Sequence, residues 1–224
     1  MFGTYRTLLA LMVVALHLGG IPKVGAYAVF GFYCLSGYLM TLIMHSNYGY
    51  TLPGISKYAV NRALRIFPLY WVSILFSAVL IWQLGSNFIS SYHPAIYMPG
   101  NASELSKNLM IFFPFMDVPR LTPPAWALTV ELFFYILIGA GISKNKGITL
   151  IWFVFSVLYH IGALFFDLGW SHRYYTIAAA SLPFSTGALI FHYRHSCCQC
   201  LNQLSGRGGI YLYLFFFQFW LIGG

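Results

Sequence analysis

An arginine and a histidine bound the first apolar stretch of the chain, and their side chains fit anion binding and proton transfer. Arg6 and His17 are 11 positions apart, with ten largely apolar residues between them. At about 100° and about 1.5 Å per residue, this spacing places them on one face of a helix, about 16 Å apart along its axis. With Arg6 at a membrane surface, His17 lies about halfway across the hydrocarbon core, where an imidazole can act as a general base.

Two other interpretations of this stretch stay open. A polar face in a membrane must contact protein or water, because ionisable side chains that face lipid are costly. Arg6 as an ordinary cytoplasmic anchor beside an unrelated His17 is one alternative. A cleavable signal peptide that ends near Ala26 is the other, and the hydrophobic spans that follow at once disfavour it.

One carboxylate falls within a predicted span. Of the four acidic residues, only Glu131 lies in an apolar run, five positions after Trp126. A tryptophan is typical of the membrane interface, which puts Glu131 about 7 Å deeper. His17 is also predicted in that half of the membrane, so we expect Glu131 to contact it, fix its tautomer and favour the imidazolium. The alternative is a hydrogen bond between packed helices with no catalytic role.

Two arginines precede the third apolar run. Arg62 and Arg65 are three positions apart, so they share one face of a predicted interfacial helix. Pro68 is then expected in the first turn of a separate span from Leu69 to Leu84, where its missing N–H does little harm. The pair is equally typical of a plain topology signal.

The composition predicts a polytopic membrane protein. The chain has 224 residues, of which 59% are hydrophobic and only 7% are charged, and its mean hydropathy is +0.73. Such a chain lacks the polar surface of a soluble domain. We expect an all-α bundle of about seven transmembrane helices. The predicted spans are approximately 6–17, 26–44, 69–84, 125–138, 148–166, 174–191 and 210–222.

The net charge of +8 indicates topology rather than nucleic-acid binding, because the cations are scattered singly between apolar runs. With the N-terminus in the cytoplasm, the inner segments hold eight cations and no acid. These are Arg6, Lys57, Arg62, Arg65, Lys144, Lys146, Arg194 and Arg207. The outer segments hold four cations and three acids, namely Lys23, Lys107, Arg120, Arg173, Glu104, Asp117 and Asp167.

Residues 85–124 are predicted to form a loop rather than a span. The apolar run from Leu109 to Phe115 is too short to cross a bilayer, so we expect it to be re-entrant or to lie on the surface. Asn101 begins a match to a glycosylation acceptor, a pattern that is common by chance. No metal site is predicted, because Cys197, Cys198 and Cys200 with a nearby histidine fit no strong zinc pattern.

Four blocks of the chain resemble, in order, the membrane-bound acyltransferase family 3. The blocks are residues 6–17, 30–38, 62–71 and 126–135, and residues 183–187 resemble the small-residue span of that family. These enzymes are typified by O-antigen and exopolysaccharide O-acetylases. The resemblance implies transfer of an acyl group, usually acetyl from acetyl-CoA, to a hydroxyl of a cell-surface carbohydrate, lipopolysaccharide or lipid-linked glycan. It also implies a bacterial inner membrane.

The resemblance implies a role for each candidate residue. Arg62 and Arg65, on the cytoplasmic side, would bind the phosphates of coenzyme A. Arg6 would orient the thioester end of the donor, and His17 would act as general base or as transient acyl carrier, two options that stay open. Ser36 is a conceivable nucleophile, but small residues in spans are more often packing contacts.

Three aromatic residues and the length of the chain give further expectations. Tyr70, Trp71 and Tyr135 are expected in an interface belt or in helix packing, with contacts to donor or sugar as the alternative. The chain is expected to be one acyltransferase domain over residues 1–224, shorter than typical members and lacking C-terminal spans. The competing hypotheses are a transporter in which Arg6, His17 and Glu131 line a proton or solute path, and an inactive truncated acyltransferase.

Overall fold

A computed structural model describes residues 2–19, 24–92, 96–113 and 120–204, with side chains up to residue 194. This part of the chain is all-helical. The helices are α1 Phe2–Gly19, α2 Val24–Ile43, α3 Leu52–Leu84, α4 Ser86–Tyr92, α5 Ala102–Leu109, α6 Ala125–Ala140, α7 Lys146–Phe165, α8 Trp170–Tyr174 and α9 Ile177–Leu204. The predicted last span, the turn at residues 20–23 and the side chains of the cysteines near the end of α9 lie outside the described residues.

Among the described residues, four helical segments are long and apolar enough to cross a membrane. They are Val24–Tyr48, Leu52–Leu84, Lys146–Phe165 and Trp170–Arg194. Helices α1 and α6 are apolar but shorter, and the 16 residues of α6 extend only about 24 Å. The polytopic helical architecture therefore agrees with the sequence, whereas the count of seven spans stays a prediction.

Helix α3 corrects the predicted boundary at Pro68. The predicted interfacial helix and the predicted third span form one helix of 33 residues, and Pro68 lies in its interior. The helix begins at an N-cap, where the side chain of Thr51 accepts a hydrogen bond from the amide of Gly54, and it ends at Gly85, with φ +83°. The other backbone groups on both sides of Pro68 keep their helical hydrogen bonds, so the one bond lost at the proline does not end the helix.

Helix α2 lies at the centre of the bundle, between α1 and α9. Gly37 meets the backbone of α9 so closely that a Cβ there would collide with the carbonyl oxygen of Phe184, and a Cβ on Gly187 would collide with that of Cys34. The order of these contacts shows that α2 and α9 run antiparallel. This close approach at two glycines follows the small-residue packing of membrane helices.

A stack of aromatic rings fixes α6 within the bundle. The ring of Phe134 on α6 lies 4.4 Å from that of Phe184 on α9 and 5.9 Å from that of Trp152 on α7. The Phe184 ring also stacks on Tyr33 of α2, at 5.1 Å. Three helices therefore position α6, the helix that carries Glu131.

The predicted loop from 85 to 124 contains two short helices. The side chain of Asn101 accepts a hydrogen bond of 2.9 Å from the amide of Glu104, and the Glu104 carboxylate accepts one of 2.8 Å from Gly100, so this segment caps α5. After α5, Ile111 adopts a positive φ of 55° and is buried. Thr129 of α6 donates to the Ile111 carbonyl at 2.8 Å, so the described part of the short apolar run packs against α6.

Candidate functional site

Two hydroxyl groups hold the carboxylate of Glu131. Ser36 of α2 donates a hydrogen bond of 2.9 Å to Oε1 of Glu131, and Tyr135, one turn further along α6, donates to the same oxygen. Glu131 is half-buried, while Ser36 and Tyr135 are buried. The carboxylate is therefore placed by residues that the sequence predicted mainly as packing contacts.

A cavity of about 490 Å³ opens beside this carboxylate. Its wall includes Arg6 from α1, Arg65 from α3, and Ser36, Glu131 and Tyr135. Arg6 is half-buried and Arg65 is exposed. We name this space the arginine cavity. It brings two guanidinium groups and one carboxylate together, which is an arrangement suited to an anionic ligand.

A second cavity, of about 570 Å³, lies at the other end of α1. His17 lines it together with Trp126, Trp170, Tyr174 and Tyr175. The Trp126 ring lies 5.0 Å from that of Tyr175, and Trp170 stacks on Tyr174 at 5.3 Å. We name this space the aromatic cavity. The buried Arg120 also lines it. Apolar ring faces beside an exposed imidazole and a guanidinium form a site for a ligand with both apolar and hydroxyl surfaces.

The structure does not bring His17 and Glu131 together. His17 lines the aromatic cavity and Glu131 the arginine cavity, where Ser36 and Tyr135 are its hydrogen-bond partners. The reason is the stagger of two antiparallel helices. Leu16 of α1 packs at Gly25 of α2 and Leu9 packs at Gly31, so the N-terminal part of α1, with Arg6, lies nearest to Ser36.

Arg62 and Arg65 have different surroundings although they are one helical turn apart. Arg65 lines the arginine cavity. The Nη1 atom of Arg62 instead donates to Sδ of Met40 at 3.7 Å, and its Nε atom is buried without a hydrogen-bond partner in the described part of the chain. The predicted pair is therefore split, with one arginine in the cavity and the other against α2.

Tyr70 and Trp71 bind the backbone at the C-terminal end of α5. The Tyr70 hydroxyl donates to the carbonyl of Asn108 at 2.8 Å, and the Trp71 indole donates to that of Leu109 at 3.0 Å. Tyr70 also lines the arginine cavity. Both residues therefore attach this segment to α3, beside the cavity, a role that sequence periodicity could not reveal because the partners are backbone groups 38 positions away.

The described residues thus form a helical bundle with four candidate membrane-spanning helices, an architecture compatible with an integral membrane protein. No family model, curated protein or solved structure matches the chain. The orientation in the membrane and the activity therefore stay predictions that rest on the residues themselves.

Proposed function

We propose that the chain is an integral membrane O-acyltransferase, which transfers an acyl group, acetyl above all, from acyl-CoA to a hydroxyl of a cell-surface carbohydrate or lipid-linked glycan. One observation carries this proposal. Helix α1 presents Arg6 to the arginine cavity and His17 to the aromatic cavity. Two substrates of different chemistry would thereby bind at two sites, one at each end of the same helix.

The arginine cavity is the proposed donor site. Coenzyme A carries phosphates that cannot enter lipid, and guanidinium groups bind phosphate oxygens in a bidentate manner. Arg65 is exposed on the wall and would meet the donor first, while the half-buried Arg6 on the same wall would orient the arm that leads to the thioester. Arg62 lies one turn closer to the start of α3 and would contact the donor along its entry path.

Glu131 has a different proposed role from the one that its sequence position predicts. Ser36 and Tyr135 donate to its carboxylate and so fix the carboxylate on the wall that it shares with Arg6 and Arg65. From this wall Glu131 would keep the half-buried Arg6 directed into the cavity when no donor is bound, because a cation without a partner is costly there. Glu131 is thus a proposed positioning residue for Arg6.

The aromatic cavity is the proposed acceptor site. Indole and phenol rings offer apolar faces for the C–H surface of a sugar, and His17 stands at the wall as the proton acceptor. In the simplest reaction, His17 removes the proton of the acceptor hydroxyl, the hydroxyl oxygen attacks the thioester carbonyl, and coenzyme A leaves as the thiol after taking up that proton. In the alternative, His17 first accepts the acyl group itself.

The separation of the two sites sets a requirement on the donor. Arg6 and His17 are 11 residues apart on α1, which corresponds to about 16 Å along the helix. The flexible arm that carries the thioester would extend along α1 from Arg6 toward His17. A short thioester without the nucleotide should therefore lose much of its reactivity, because it lacks the groups that the arginines hold.

The test is the transfer of label from radiolabelled acetyl-CoA to surface polysaccharide by membranes that contain the chain. We expect activity in the parent and loss of activity in His17→Ala and Arg6→Ala. His172→Ala is the matched control, because His172 is exposed and lies outside both cavities. Full activity in His17→Ala would overturn the proposal, provided that all variants insert equally.

One observation favours a second candidate, a proton or solute path. Ser36, Glu131 and Tyr135 form a continuous chain of hydroxyl and carboxylate groups inside the bundle. A transporter would move protons or a solute across sealed vesicles in the absence of any CoA ester, and Glu131→Gln would stop that flux. An inactive relative of the acyltransferases would insert normally and show neither transfer nor flux.

A further inference from the structure

Basic side chains from three segments converge at one end of the bundle. His45 follows α2, Lys144 and Lys146 lie at the start of α7, and His192 and Arg194 lie on α9. We name these five residues the basic cluster. All four acidic residues of the sequence lie elsewhere along the chain, at positions 104, 117, 131 and 167.

Both histidines bind the same backbone oxygen. The Nε2 atom of His45 lies 3.2 Å from the carbonyl oxygen of Ser143, and that of His192 lies 3.1 Å from it. A carbonyl only accepts hydrogen bonds, so each imidazole carries its proton on Nε2. The two rings, 5.4 Å apart, therefore tie α2 and α9 to the turn before α7.

Aromatic rings hold the three permanent cations next to these histidines. The guanidinium of Arg194 lies 4.3 Å from the ring centre of Phe191. The ammonium groups of Lys146 and Lys144 lie 5.5 Å and 5.9 Å from the rings of Tyr193 and Tyr50. These are cation–π distances, so the rings help to hold the three cationic side chains against the protein surface.

Tyr50, which lies beside the basic cluster, carries no negative charge that could balance the cations. Burial raises the pKa of Tyr50 above its ordinary value, although its contact with Ser143 acts in the opposite direction. Its hydroxyl therefore stays neutral at physiological pH. Lys144, Lys146 and His45 are exposed, so an anion from outside the chain can reach them.

We propose that the basic cluster binds a phosphate group, either the headgroup of an acidic phospholipid or a soluble phosphate compound. A plain topology signal needs only the presence of lysine and arginine, whereas here side chains from three segments are held together by a shared carbonyl and by aromatic rings. Phosphate is the ligand chemistry that suits several converging cations at a membrane surface. This inference does not depend on the proposed acyl transfer.

Thermal unfolding of the purified chain in detergent tests the proposal, with tryptophan fluorescence as the signal. In one arm the micelles contain phosphatidylglycerol or, as the neutral reference, phosphatidylcholine. In the other arm, inorganic pyrophosphate is added in solution, because coenzyme A is already assigned to the arginine cavity. We expect a phosphate probe to raise the unfolding temperature, and we expect Lys144→Gln/Lys146→Gln to weaken the apparent affinity about tenfold or more.

Two further variants make the result specific. Lys144→Arg/Lys146→Arg keeps both charges and should retain binding. Lys57→Gln/Lys107→Gln removes two charges from sites outside the cluster and should behave like the parent. The substituted lysines of the cluster are exposed, so the fold should tolerate their replacement.

Each outcome has one meaning. Stabilisation by phosphatidylglycerol alone that depends on Lys144 and Lys146 identifies a lipid headgroup site, and stabilisation by inorganic pyrophosphate with the same dependence identifies a soluble ligand. The proposal is overturned by no stabilisation with any phosphate probe, by stabilisation that Lys144→Gln/Lys146→Gln leaves unchanged, or by an equal loss in the two Lys→Gln variants. If the parent chain shows no acetyl transfer but still binds phosphate, only the proposed function is contradicted.

Discussion

The hydroxyl oxygen of Ser36 lies 2.9 Å from Oε1 of Glu131 and so joins α2 to α6 across 95 positions of sequence. Tyr135 donates to the same carboxylate oxygen from α6 itself. Arg6 and Arg65 share the cavity wall with this group. The position of the only carboxylate in a predicted span is therefore set by a serine of the neighbouring helix.

Ser36→Ala should destabilise the protein because it removes one of the two donors to a half-buried carboxylate. We expect a loss of about 1–3 kcal/mol in the free energy of unfolding. The measurement is thermal or denaturant unfolding in detergent. Ser46→Ala is the control, since Ser46 is exposed and donates to the carbonyl of Leu42, four positions earlier, rather than to a carboxylate. Equal stability of the two variants would show that the Ser36 contact contributes nothing.

Gly187→Ala should be strongly destabilising because its Cβ would collide with the backbone of α2 at Cys34. The two helices would have to separate, and the Phe184 ring stack would separate with them. We expect a loss of about 2 kcal/mol or more from this overpacking. Gly162→Ala is the matched control, because nothing lies within 4 Å of a Cβ there. That control should be neutral or slightly stabilising, owing to the better helix propensity of alanine.

Arg65→Ala should raise the KM for acetyl-CoA about tenfold or more, since it removes one charge-assisted contact with the donor phosphates. Arg65→Lys should recover part of the loss, because lysine keeps the charge but not the bidentate geometry. Steady-state transfer kinetics with varied acetyl-CoA provide the measurement. Lys57→Ala, which removes an exposed cation outside the arginine cavity, is the control. An unchanged KM in Arg65→Ala would exclude this cavity as the donor site.

Trp170→Ala should raise the KM for the acceptor and leave the KM for acetyl-CoA unchanged. Its ring stacks on Tyr174 in the aromatic cavity, so its loss removes an apolar face from the proposed sugar site. The measurement is transfer kinetics with varied acceptor at saturating acetyl-CoA. Trp82→Ala is the matched control, because Trp82 is 80% exposed and lies outside both cavities. Identical effects of the two substitutions would argue against a role of the aromatic cavity in acceptor binding.

Local sequence signals predicted most of the long helices. The predicted run 148–166 corresponds to α7, Lys146–Phe165, and the predicted run 26–44 corresponds to α2, Val24–Ile43. Both helices end where apolar sequence gives way to turn residues. The same approach failed at Pro68, because a proline removes only one backbone hydrogen bond, and α3 keeps its helical hydrogen bonds on both sides of it.

The sequence by itself determined that this chain forms apolar helices, that Arg6 and His17 share one helix, and that Glu131 is the only acidic residue within a predicted span. Helical hydrogen bonds are local, so composition and spacing suffice for these properties. Only the tertiary structure decided which residues meet. The stagger of α1 against α2, set where Leu9 packs at Gly31, places Arg6 rather than His17 in the cavity of Glu131. Spacing measures depth along a single helix, whereas the relative height of two helices depends on how their side chains interlock.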